Sequence, residues 1–77
     1  FSNLDCNFDI IFLDPPYKEK KIKNLLIKIK DNNILSKNGI IILHRHKNEK
    51  DYFPSCFKLI EEKTYGISKI IFLSFLN

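Results

Sequence analysis

Phe8-Asp9-Ile10-Ile11-Phe12-Leu13-Asp14-Pro15-Pro16-Tyr17 is the stretch on which the fold turns. Ile10 to Leu13 are β-branched, aromatic or aliphatic, with no polar alternation. Such a run suits a strand buried on both faces, as in a parallel sheet. Asp14 ends it. Pro15 and Pro16 have no backbone N–H to give to a ladder, so the strand stops there. A residue before proline is driven to extended geometry, which holds Asp14 and Pro15 nearly straight. Tyr17 then lies at a fixed distance from the Asp14 carboxylate. Ligands of open parallel sheets bind beyond the carboxyl ends of the strands. A carboxylate, a stiff backbone and an aromatic ring at that edge suit a flat, nitrogen-bearing substrate.

Working outward, Ile22, Leu25, Leu26 and Ile29 fall at i, i+3, i+4 and i+7, one apolar stripe of a helix. Lys20, Lys21, Lys23, Lys28 and Lys30 lie mostly off it, on a face that is solvated or touches phosphate. Asp31-Asn32-Asn33 ends the helix. Ile34 and Leu35 are expected to return to the core, and Ser36-Lys37-Asn38-Gly39 to form a turn with Asn and Gly free to take positive φ. Ile40 to Leu43 is a second apolar run, again read as a strand buried on both faces. Strand, helix and strand make a βαβ unit, expected to be parallel. His44-Arg45-His46-Lys47 is expected to leave that strand on the edge where Asp14 sits.

Downstream, Asn48 to Ser55 reads as a loop. Cys56 to Tyr65 and Ser68 to Leu76 read as strands, and the join at Tyr65-Gly66-Ile67 makes them an antiparallel hairpin. The fold class is therefore α/β: β-α-β, then a hairpin.

The 77 residues allow one small domain at most. With 44% hydrophobic and 29% charged residues the chain is globular, not disordered. Its net charge of +4 is compatible with a polyanionic partner and equally with a lysine-rich soluble surface. Cys6 and Cys56 form neither zinc spacing nor a disulfide framework, so free thiols are expected. His44 and His46 share a strand face, but no third ligand has metal-site spacing, and no metal is expected. No apolar run reaches transmembrane length. A reducing cytoplasm is the expected compartment. The absence of methionine makes this sequence, as read, a segment of a longer protein.

Asp14-Pro15-Pro16-Tyr17 resembles the (D/N)PP(Y/F) motif of class I, Rossmann-like methyltransferases that modify exocyclic or amide nitrogens with S-adenosylmethionine. The element order is similar to the C-terminal part of that sheet. Phe8 to Tyr17, Asn38-Gly39-Ile40-Ile41-Ile42 and Lys63-Thr64-Tyr65-Gly66 together resemble the RsmD-like family, bacterial enzymes that methylate a guanine N2 of 16S ribosomal RNA. Many relatives carry Glu-His after the second strand, where this chain has His44-Arg45.

The resemblance implies a partial domain over residues 1–77, with the main cofactor site upstream and Asp14 touching only its edge. It implies catalytic roles for Asp14, Pro15, Pro16 and Tyr17. Tyr17, His44, Arg45, His46 and Lys47 are expected to contact RNA, the partner being ribosomal RNA or the small subunit. Adenine in DNA, a protein glutamine amide and a non-catalytic RNA-binding module are the alternatives.

The chemistry suits these residues. An aromatic amine is a poor nucleophile because its lone pair is delocalised into the ring. Acceptors for its protons, here the Asp14 carboxylate and the Pro15 carbonyl, pull the nitrogen toward tetrahedral geometry. Stacking on Tyr17 is worth ~1–3 kcal/mol, and the base must leave its stack to arrive.

Overall fold

The computed structural model of the protein describes residues 8–15 and 21–76. Four strands and one helix follow in the order β1 (Phe8–Leu13), α1 (Ile22–Asp31), β2 (Leu35–His46), β3 (Phe57–Tyr65) and β4 (Ser68–Phe75). The strands form one sheet in the spatial order β1-β2-β4-β3. β1 and β2 run parallel, as a βαβ unit requires, and β4 is antiparallel to both its neighbours. The hairpin is as expected from Gly66, but its second strand, not its first, lies against β2. No helix among the described residues is long and apolar enough to cross a membrane.

The helix forms and ends for local reasons. Ile22, Leu26 and Ile29 are buried and Leu25 is half-buried, the stripe read from the sequence. Asn33 takes φ of 54°, a left-handed residue just past the helix. Its N–H donates to the Lys30 carbonyl, and that of Ile34 to the Ile29 carbonyl. This is a Schellman end with Asn in the usual glycine place. It turns Leu35 into the core, where it is 4% exposed.

Ser36 to Gly39 is not a turn. It lies within β2, opposite a break in register where β1 advances from Phe8 to Ile10 while β2 advances from Leu35 to Ile40. The extra residues bulge from the strand, and Ser36 Oγ donates to Asp9 Oδ1 at 2.7 Å across it. Positive φ is not what selects Gly39. A Cβ there would lie 2.5 Å from Leu35 Cδ1 and 3.1 Å from the Asp9 carbonyl oxygen, so the close approach requires glycine. Gly66 does need its conformation: at φ of 56° it opens the two-residue turn between Tyr65 and Ser68.

The core is one-sided. Ile22, Leu26 and Ile29 of α1 cluster with Leu35, Ile41 and Leu43 of β2 and with Ile71 and Leu73 of β4. Phe57 of β3 joins them and stacks on Phe75, ring centroids 5.0 Å apart. The expectation that β1 and β2 are buried on both faces is corrected. Ile10 and Phe12 are 63% and 60% exposed, and Ile40 and Ile42 are half-buried. Among the described residues only the α1 side of the sheet has a second layer. Helix Ile22–Asp31 covers that side alone, and the alternation of the strands turns every other apolar residue away from it.

Candidate active site

The parallel pairing of β1 and β2 brings their carboxyl ends together. Leu13 stands beside Leu43, so the next residues, Asp14 and His44, emerge side by side. Leu13 and Leu43 face the helix; one step on, both successors face the open side of the sheet. His44 Nδ1 and Asp14 Oδ1 are 3.0 Å apart. A carboxylate oxygen only accepts, so the ring nitrogen is the donor. The Asp14 side chain is 63% exposed and that of His44 35%.

β4 completes the edge. Because it runs antiparallel to β2, its first residue and the hairpin turn arrive at the same end of the sheet, with Ser68 beside His46. Asp14, Pro15, His44, Arg45, His46, Ile67 and Ser68 line a depression of about 170 Å³. A pocket that encloses a drug-sized ligand measures ~300–1,000 Å³. The described residues therefore fit the reacting end of a substrate, with the Asp14 carboxylate and Pro15 as its border. They do not enclose a nucleoside-sized cofactor.

His44 to His46 do not leave the strand, as expected from the end of the apolar run, but continue it. They pair with Ile70, Lys69 and Ser68 of β4. Strand alternation then sorts them. His44 and His46 face the open side, and Asn48 N donates to His46 Nδ1 at 3.1 Å. Arg45 faces the core and is 3% exposed. Its Nε lies 2.9 Å from Asp51 Oδ2 and its Nη2 3.1 Å from Asp51 Oδ1, with Glu49 Oε2 at 3.6 Å. Lys69 Nζ donates to the Glu49 carbonyl, tying the same loop to β4.

The expectation that Arg45 contacts RNA is thereby corrected: its fork is buried in a bidentate pair, where a phosphate has no access. Lys47, the next residue out, is exposed. Pro16 and Tyr17 lie outside the described residues, as does Cys6; Cys56 is a half-buried free thiol. Among the described residues no three His, Cys, Asp or Glu side chains group as a metal site.

Sequence reasoning missed the contact between His44 and Asp14, and the part of Ile67 and Ser68 in the depression. A parallel register would have shown the first. The second needed the position of β4, for which the sequence carries no local signal.

The family model described as "Conserved hypothetical protein 95" matches residues 2–74. The chain is 35% identical over 71 residues to an uncharacterised methylase of Rickettsia prowazekii, covering 88% of this chain and 29% of that protein. It is 33% identical over 61 residues to ribosomal RNA small subunit methyltransferase D of Haemophilus influenzae, covering 79% and 32%. The chain thus spans about a third of the length of these relatives. Two solved structures superpose on it, each at 30% identity, over 91% of this chain and 44% of theirs. One is the "putative methylase HI0767" of Haemophilus influenzae, at a TM-score of 0.76, and the other a conserved hypothetical protein of Streptococcus pyogenes, at 0.77.

Proposed function

The chain belongs to the "Conserved hypothetical protein 95" family, the RsmD family, and its sheet is part of a class I methyltransferase fold; on that premise we propose that it forms the substrate side of an S-adenosylmethionine-dependent N-methyltransferase. The acceptor is the exocyclic N2 of a guanine in 16S ribosomal RNA. The observation that carries this reading is the Asp14 carboxylate. It stands at the carboxyl end of a parallel strand, open to solvent, bordered by proline and, among the described residues, anchored through Oδ1.

Asp14 Oδ2 and the Pro15 carbonyl are the acceptors for the two amine protons. They aim the nitrogen lone pair and exclude the planar, unreactive geometry. When bound, S-adenosylmethionine supplies a methyl group on a positively charged sulfur. The nitrogen lone pair held by Asp14 and Pro15 would take that methyl group, the C–S pair leaving with the sulfur. The nitrogen then sheds one proton, to Asp14 and on to water. Pro16 and Tyr17 complete the motif in this proposal, with Tyr17 offering its ring to the unstacked base.

The test is transfer of labelled methyl from S-adenosylmethionine by the complete protein to 16S RNA or small subunits, followed by nucleoside analysis. N2-methylguanine is expected. Methyl on adenine or on a glutamine amide would replace the substrate, and RNA binding without transfer would leave a binding module.

Among the described residues, Lys47 and the imidazole of His46 remain as candidate RNA contacts beside the site. Lys47→Ala is expected to weaken RNA binding and lower the salt slope by roughly one per lost phosphate contact. An unchanged slope assigns Lys47 to the solvated surface.

A further inference from the structure

His44 stands beside Asp14 at the end of the sheet, and what it does follows from its neighbours. It sits inside the sheet, in register with Ile70 of β4 and directly after Leu43, the partner of Leu13. Asp14 has left the ladder. Its side chain is 63% exposed against 35% for His44. Of the two, His44 has the fixed backbone and the drier side chain. An exposed carboxylate at a strand end rotates among rotamers, and ordering it costs free energy each time substrate binds. A fixed donor removes that cost before the substrate arrives.

We propose that His44 is a positioning residue for methyl transfer: its Nδ1–H holds Asp14 Oδ1 and leaves Oδ2 aimed at the substrate amine. The inference rests on the methyltransferase reading above. The charge state matters as much as the geometry. With the Nδ1–H tautomer, neutral imidazole anchors the carboxylate without cancelling its charge. That charge is what stabilises the nitrogen as the N–C bond forms and it becomes cationic. A lysine or arginine at position 44 would anchor Asp14 equally well and oppose that cation.

The test uses the complete protein and three variants. His44→Ala is expected to lower kcat by ~10- to 100-fold, as misplacement of a reacting group by about 1 Å does. KM for RNA and affinity for S-adenosylmethionine should stay within roughly threefold, because His44 acts on the amine geometry of the transition state. In His44→Asn the amide nitrogen stands near the place of Nδ1, and kcat should return to within roughly threefold of wild type. His44→Phe fills the volume without a donor and should resemble alanine. Melting curves check that all three are folded. Nitrogen-15 spectra of the wild type should show the His44 imidazole in the Nδ1–H form, reverting to Nε2–H in Asp14→Ala.

An active wild type with kcat unchanged in His44→Ala, or with asparagine as poor as alanine, overturns this inference alone. So does an Nε2–H imidazole in the wild type. A wild type that transfers no methyl group overturns the methyltransferase reading and this inference with it.

Discussion

Asp14→Ala in the complete protein is expected to lower methyl transfer by a factor on the order of 10²–10³, the range for losing one preorganised polar group at a reacting centre. Cofactor affinity should stay within a few-fold. The reason lies in the placement of the side chain. Asp14 borders the depression at the carboxyl ends of β1 and β2, where the proposed mechanism puts the amine. Oδ1 is already taken by His44, which leaves one carboxylate oxygen and the Pro15 carbonyl for two amine protons. Asp14→Asn discriminates further. It keeps one acceptor for His44, but it presents an amide N–H where Oδ2 stood and carries no negative charge. It should therefore lose activity but less than alanine, because its remaining carboxamide oxygen can still accept from the amine. Turnover on small subunits or 16S RNA and calorimetric titration of the cofactor measure the two quantities separately. Near-normal turnover in Asp14→Ala would remove Asp14 from the mechanism.

Asp51→Ala is expected to be the most destabilising single change among the loop residues, at about 3–5 kcal/mol. The Arg45 side chain is 1% exposed and that of Asp51 7%, and they pair through two short contacts. Removing the carboxylate leaves a guanidinium that cannot lose its proton inside the fold. Glu49 is the longer contact, with Oε2 3.6 Å from Nη2, and its side chain is 17% exposed. Glu49→Gln leaves the Asp51 pair in place and should cost less than Asp51→Ala. For a protein of the size of the relatives, the Asp51 change corresponds to a fall in Tm of roughly 6–20 °C. Thermal or denaturant unfolding of the complete protein reads both variants. Equal, small effects would show that the Arg45 pair is dispensable. The pair also fixes which way β2 faces at its end. Arg45 turned inward keeps His44 and His46 turned outward, so the loop carboxylate supports the site from behind.

What the sequence by itself determined is what depends on neighbours in the chain. The Ile22, Leu26 and Ile29 spacing set the helix face, and Asn33 set its end. Gly66 set the hairpin turn, and Pro15 after Asp14 set the end of β1. Only the tertiary structure decided the rest. β4, not β3, takes the place beside β2, and nothing in either strand's own residues selects that neighbour. Once there, β4 supplies the hydrogen bonds that let β2 run on through His44, Arg45 and His46, where the apolar signal has stopped. Side chains alternate along a strand with a period of two, so that continuation decides which residues face the core. It buries Arg45 and brings His44 to Asp14. A polar residue at the end of an apolar run reads as an exit from the sheet. Whether it is one depends on hydrogen-bond partners that lie more than twenty residues away.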